Sequence, residues 1–256
     1  MATRIYLAGR LAVEHDGLLV VQERDFAGRQ GRLAFACLAV NRSRGVPRDE
    51  LVTALWGASP PEELDAALSA VLSKLRALFR RAGPIALAIE LLHGTVEMSM
   101  PAATWIDVEA AANAIDEAEG ALRAGDAARA WSFANVVVSI SRRGFLPDEE
   151  GPWIEARRTR LRLALARALQ CLSKISAERG EQALALEYAG EVIALEPFRE
   201  TAYLELMRLH AQMGNRAEAL RVFGRCRKLL RDELGTSPSP QTEAVFLDIL
   251  RGDSPA

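Results

Sequence analysis

A chain of 256 residues, half of them hydrophobic and 26 % charged with a formal net charge of −2, can bury one large core or two ordinary ones, and two is the expectation. No run of about 18 apolar residues offers a membrane span, and Arg4 and Arg10 interrupt the short apolar run at the start, so neither a membrane partner nor a secretory leader is expected and the chain reads as cytoplasmic. Cys37, Cys171 and Cys226 are an odd number without C-x-x-C spacing, which fits buried free thiols in a reducing compartment better than a disulfide frame or a metal site.

Ala, Leu and Arg dominate and aromatic residues are only 6 %, a composition that favours helix because these side chains lose little freedom there. Charge is unevenly spread. Residues 1–103 hold 12 Lys/Arg and 11 Asp/Glu, and residues 104–256 hold 20 and 23. Within the first part, 27–48 carry Arg29, Arg32, Arg42, Arg44 and Arg48 with no acid, and 66–89 carry Lys74, Arg76, Arg80 and Arg81 with no acid. Such stretches are candidate footprints for a polyanion.

In chain order, Ile5 and Leu7 and then Leu11 and Val13 alternate as in strands, and a turn at Asp16-Gly17 leads to the apolar run Leu18 to Val21, a hairpin. From Gly28 the period lengthens: Leu33, Phe35, Ala36, Cys37 and Val40 predict an apolar helix that stops near Asn41. Pro47 suits the first turn of a second helix carrying Leu51, Val52, Leu55 and Trp56, and Gly57 ends it. Ser59 is the candidate N-cap of a third helix, with Pro60 and Pro61 blocking continuation and Glu62, Glu63 and Asp65 suited to its positive end.

Leu68, Leu72, Leu75 and Phe79 form one buried stripe of that third helix, and the adjoining stripe is Ser69, Ser73, Arg76 and Arg80, with Lys74 close by. A face of Ala, Ser, Lys and Arg without a carboxylate can approach a phosphate backbone and reach base edges, although a solvated helix face often looks the same. Ile85, Leu87 and Ile89, then Val96, Met98 and Met100, alternate on either side of "LLHG", a second hairpin. Strands, three helices and a hairpin follow the order of a winged helix with an N-terminal sheet.

Beyond residue 103 no strand pattern appears, and the sequence repeats. Aligned on Gly125, Gly180 and Gly214, alanines recur three residues on (128, 183, 217) and five on (130, 185, 219). Nine on come Ala134, Ala189 and Phe223, and fifteen on Ile140, Leu195 and Leu229. The last two glycines are 34 residues apart, the tetratricopeptide period, and small residues let the paired helices of such repeats approach. Val245, Phe246 and Ile249 are expected to cap the final repeat. Arg157, Arg158, Arg160, Arg162 and Arg167 read first as a face paired with acids and second as a surface for DNA or an acidic protein. His210 reads as a packed residue and His15 as part of a turn.

The segment "NRSRGVPRDELVTALWG" with the later "SKLRALF" resembles the OmpR-type winged helix of the Streptomyces antibiotic regulatory protein family. Residues 145–162, "FLPDEEGPWIEARRTRLR", and 195–250 resemble the bacterial transcriptional activator domain that follows it in that family. The resemblance implies a mainly α chain with two domains: a winged helix-turn-helix, residues 1–103, and an all-α tetratricopeptide-like repeat domain, residues 104–256. It implies that the third helix enters the major groove, with Trp56 and Gly57 as the packed corner before it. The DNA-binding residues are then Arg29, Arg32, Arg48, Ser69, Ser73, Lys74, Arg76, Arg80 and His93. Relatives offer larger polar groups where this chain has Ser69 and Val71, and the hairpin tip reads His93-Gly94-Thr95 where a Gly-Tyr pair is usual.

No catalytic constellation is present: His15, His93 and His210 lie in separate elements, and G-x-S-x-G, H-E-x-x-H and Walker-type loops are absent. Neither a metal nor a cofactor is expected, and with the sequence closing on "RGDSPA", any sensing is expected to use the repeats or another protein. Three readings follow. The first is a transcriptional activator that binds double-stranded promoter DNA, as a homodimer on direct repeats spaced by about one helical turn, and contacts RNA polymerase through its repeats. The second is a protein-interaction adaptor whose winged helix has lost sequence recognition. The third is a regulator gated by a small molecule in the repeat groove.

Overall fold

The computed structural model describes residues 2–83 and 85–252, so the last four residues of "RGDSPA" lie outside the described part. The protein is mainly helical, with ten α-helices and seven short strands among the described residues, and it divides into two compact units. One holds the chain up to Asn113 together with Ser139–Leu161; the other holds Ala114–Val138 and the chain from Arg162 onward.

The first unit opens with β1 (Thr3–Tyr6), β2 (Ala12–His15) and β3 (Leu18–Gln22), antiparallel in that sequence. Asp16 and Gly17 both take positive φ, 49° and 81°, as a tight two-residue hairpin turn requires. His15 closes β2 rather than lying in the turn, and its Nδ1 sits 3.0 Å from Thr3 Oγ1. Next come α1 (Gly28–Val40), the two-residue strand β4 (Val46–Pro47), α2 (Arg48–Trp56) and α3 (Leu64–Arg81). Pro47 stands just before α2, at its N-cap, where it also pairs with Thr95. Gly57 ends α2 with φ 61° and its N–H on Thr53 O.

Ser59 does not cap α3. The helix starts five residues later behind Glu63, which makes no side-chain cap. Ser59 and Pro60 each precede a proline and are therefore pushed out of the helical region, so the turn lasts longer than its capping residues suggest. The hairpin of β5 (Ala88–Leu92) and β6 (Thr95–Ser99) takes β4 onto its β6 edge, giving the order β4-β6-β5.

The strand pattern does not stop at residue 103: β7 (Trp105–Ile106) lies parallel to β1, with Ile5 opposite Ile106. Two residues are too few to show an alternation, which is why the sequence conceals it. The next residue, Asp107, is fully buried and accepts backbone N–H groups from Leu7 (3.0 Å), Ala8 (2.9 Å) and Val108 (2.8 Å). Burial pushes its carboxyl pKa up, against the opposing pull of those N–H donors. The core of this unit also takes in Ile140, Phe145, Leu146, Ile154 and Leu161.

The helices of the second half are α4 (Asp107–Arg123), α5 (Ala127–Ser141), α6 (Pro152–Glu178), α7 (Gln182–Leu195), α8 (Glu200–Gln212), α9 (Arg216–Leu234) and α10 (Pro240–Arg251). Three of the turns between them are the same object. Gly125, Gly180 and Gly214 have φ of 78°, 77° and 75°, and the following N–H (Asp126, Glu181, Asn215) reaches back to the carbonyl of Ala121, Ser176 or His210 at 2.8–2.9 Å. This is the helix-ending motif that glycine permits and that a side chain would strain.

Five residues beyond each glycine, Ala130, Ala185 and Ala219 are all 0 % exposed, so the repeat alignment marks true helix contacts. The alanines three residues on, at 128, 183 and 217, face solvent instead and serve only as helix formers. The last helix, α10, is capped by Ser239, whose hydroxyl accepts the Thr242 N–H. On that helix Val245 and Ile249 are buried, and Phe246 stacks on Phe223 at 4.1 Å.

A fragment beginning at residue 104 carries Phe145, Leu146 and Ile154 without the core that buries them. It is expected to keep a helical circular dichroism spectrum yet bind a hydrophobic dye; a dye-silent fragment would show that 139–161 packs without the first 103 residues. Truncation before Gln241 removes Val245, Phe246 and Ile249, and burial of side chains of that kind contributes about 1.5–3 kcal/mol each. A clear drop in thermal midpoint is expected.

Candidate nucleic-acid interface

The third helix separates its faces as its sequence spacing predicts. Leu68, Leu72, Leu75, Leu78 and Phe79 are buried in the first core, with Phe79 edge-on to Phe35 at 5.9 Å between centroids. Ser69, Ser73, Lys74, Arg80 and Arg81 are exposed, as are Ala66 and Ala70. Among the described residues, no carboxylate forms an ion pair with Lys74, Arg80 or Arg81. Arg80 and Arg81 lie in the last turn, where a cation also offsets the negative end of the helix dipole.

Arg76 is half-buried, and its Nε donates to Ile89 O at 2.9 Å, tying α3 to β5. His93 is exposed at the tip of the β5–β6 hairpin with φ 50°, followed by Gly94 at 81°, another tight hairpin turn. The hairpin also brings acid, since Glu90 and Glu97 are cross-strand partners and both exposed. Leu91 and Leu92, 53 % and 43 % exposed, flank its tip.

The other basic stretch has a different fate. Arg29 Nε lies 3.2 Å from Glu149 Oε2, and its terminal nitrogens donate to Leu55 O (3.2 Å) and Glu150 O (2.5 Å). Arg32 Nε lies 2.5 Å from the second oxygen of Glu149, which is only 4 % exposed. Arg42 pairs with Glu109 (2.6 Å) and donates to Thr104 O (3.0 Å). Arg44 makes a two-pronged contact with Glu50, and Arg48 pairs with Asp65 at the start of α3 while its backbone N–H donates to Gly94 O. All five arginines of the acid-free run 27–48 are thus neutralised by carboxylates from elsewhere. Nothing local in the sequence signals partners as distant as Glu149 is from Arg29.

Four of the five arginines between 157 and 167 are also used internally, while Arg160 is exposed. Arg158 donates to the carbonyls of Phe145 (2.9 Å) and Glu149 (2.7 Å), Arg157 reaches Asn41 Oδ1 (3.3 Å), and Arg162 and Arg167 pair with Glu196 and with Asp116 and Glu119. The three cysteines are buried and free, and burial pushes the Cys37 thiol up to about 12 and Cys171 and Cys226 to about 11. They are poor nucleophiles at neutral pH. His210 is half-buried, with its pKa lowered by that burial and its Nδ1 without a partner. Among the described residues, no three of His, Cys, Asp or Glu group as metal ligands, and no helix is long and apolar enough to cross a membrane.

The first unit thus presents a cationic helix face without carboxylate partners among the described residues, in a chain that continues into helical repeats. Residues 106–250, more than half of the chain, match the bacterial transcriptional activator domain, and the chain belongs to that family. It is 30 % identical over 224 residues to the regulatory protein AfsR of Streptomyces griseus, covering 88 % of this chain and 22 % of that one. It is 25 % identical over 257 residues to the regulatory protein DnrI of Streptomyces peucetius, covering 98 % and 93 %. The structure of Mycobacterium tuberculosis EmbR in complex with a low-affinity phosphopeptide superposes with a TM-score of 0.84 at 25 % identity, over 98 % of this chain and 65 % of that one. AfsR and DnrI, both named regulatory proteins, support the resemblance to the Streptomyces antibiotic regulatory proteins.

Glu149→Ala removes the shared partner of Arg29 and Arg32. Both guanidinium groups are part-exposed and can be rehydrated, so the expected loss is about 2–3 kcal/mol in urea unfolding, somewhat below the cost of stranding a fully buried charge.

Proposed function

We propose that the chain is a sequence-specific, DNA-binding transcriptional activator. In this reading residues 1–103 act as an OmpR-like winged helix, with α2 and α3 as the helix-turn-helix and the β5–β6 hairpin as the wing. Residues 104–256 provide the surfaces for homodimerisation on direct repeats and for contact with RNA polymerase. The division is one of role, since the first core draws on residues beyond 103.

The observation that carries the proposal is the contrast between the two acid-free runs. The arginines of 27–48 are paired internally, whereas Lys74, Arg80 and Arg81 on α3 have no carboxylate partner among the described residues and stand beside Ser69 and Ser73. Ser69, Ser73 and Lys74 are the candidates for base edges; Arg80 and the exposed His93 are candidates for phosphates. Arg76, through Ile89 O, and Arg48, through Asp65 and Gly94 O, tie α3, the start of α2 and the hairpin together behind this surface, whereas Arg29 and Arg32 are spent on Glu149 and its neighbours.

A second reading is the adaptor. It is favoured by one observation, the two exposed leucines at the hairpin tip, Leu91 and Leu92, which suit a protein surface better than a phosphate backbone.

The test is a competition binding series on the DNA upstream of the protein's own gene and on random DNA at several salt concentrations. Arg80→Ala is expected to weaken both DNAs alike and to lower the salt slope by about one. Lys74→Ala is expected to cost specific binding about 1–3 kcal/mol and relax preference at one base pair. Leu72→Ala, a core truncation costing about 2–5 kcal/mol, serves as the unfolding control. Equal affinity of wild type, Lys74→Ala and Arg80→Ala for both DNAs would move the assignment to the adaptor.

A further inference from the structure

The second unit holds a cleft that DNA binding does not use. Its volume is ≈ 370 Å³ and its walls come from α4, α6 and α8, the first helix of each pair. Sites for small ligands typically span about 300–1,000 Å³. Four cations line it, Arg123, Arg167, Lys174 and Arg199, against two acids, Glu119 and Glu205.

The two signs are not equally free. Arg167 is committed to Glu119 (2.7 and 2.9 Å) and to Asp116 (2.9 Å), which also satisfies Glu119. Arg123 reaches Glu119 only at 3.9 Å, and Lys174 and Arg199 form no close ion pair among the described residues. Arg199 is the N-cap of α8 and Thr201 lies in its first turn, so the positive end of that 13-residue helix opens on the same space. The acid of that turn is engaged elsewhere, because Glu200 accepts from Ser239 N–H (2.8 Å) and Thr242 Oγ1–H (2.6 Å). Burial raises the pKa of Glu205, against the attraction of Lys174, Arg208 and Arg199.

We propose that this cleft binds a ligand bearing two or more carboxylates, held by Arg123, Lys174 and Arg199. The three cations come from three different elements, with the apolar Leu122 and Cys171 among them. Spaced carboxylates joined by a short hydrocarbon body match that distribution better than one compact inorganic anion. The same chemistry can arrive as a free polycarboxylic acid or as acidic side chains on a partner peptide. The proposal concerns the second unit alone and stands independently of DNA binding.

The experiment is calorimetric titration of the full chain with citrate, with the peptide acetyl-Glu-Leu-Glu-amide, with its Gln-Leu-Gln counterpart and with inorganic phosphate. One-to-one binding of citrate or the acidic peptide, about tenfold or more tighter than phosphate and the neutral peptide, is expected. Whichever of the two binds more tightly identifies the source. Lys174→Gln and Arg199→Gln should each weaken binding by about tenfold, Lys174→Arg should retain it, and Arg221→Gln, a pair with Glu218 outside the cleft, should leave it unchanged. Lys174 is exposed, and circular dichroism confirms that each variant is folded. Phosphate binding as tight as citrate, affinity unaffected by Lys174→Gln and Arg199→Gln, or no saturation with either carboxylate ligand would overturn the proposal.

Discussion

The first unit depends on two buried carboxylates supplied from far along the chain. Asp107 takes the N–H groups of Leu7 and Ala8, and Glu149 takes the guanidinium groups of Arg29 and Arg32. A buried charge is tolerated only when its hydrogen-bonding capacity is met, and here each carboxylate meets that condition by joining segments about 100 residues or more apart in sequence. β7 and the segment leading into α6 both join the N-terminal sheet region, β7 alongside β1 and Leu146 N–H on Leu7 O.

That constraint sorts the arginines of the unit. Those near Glu149, Glu109, Glu50 and Asp65 become part of the scaffold, and Lys74, Arg80 and Arg81 of α3 remain at the surface. The same sorting recurs in the second unit, where Arg167 is absorbed by Glu119 and Asp116 while Lys174 and Arg199 face open space. Function in this chain is better read from which charges lack partners than from where charges are dense.

Local regularities were legible in the residues. The stripe Leu68, Leu72, Leu75 and Phe79, the positive-φ turns at Gly17 and Gly94, the stop at Gly57 and the triple glycine alignment each depend on neighbours within a few positions. What depended on distant partners was hidden: the two-residue strands β4 and β7, the neutralisation of Arg29 to Arg48, and the backbone contact of Arg76. The late start of α3 was hidden for another reason, because two prolines outweigh a favourable capping serine. The exposed alanines at 128, 183 and 217 show that a repeated residue can mark helix propensity as readily as packing.

The long-range pairing of Arg29, Arg32 and Arg42 also bears on modularity. Their partners Glu149 and Glu109 both lie past residue 103, so residues 1–103 taken alone would strip Arg29 and Arg42 of their carboxylates and leave Arg32 only Glu23, at 3.5 Å. Such a fragment would gain attraction for any polyanion, RNA and membrane surfaces included. In the intact chain the downstream carboxylates act as electrostatic insulation, restricting what the amino-terminal unit can touch.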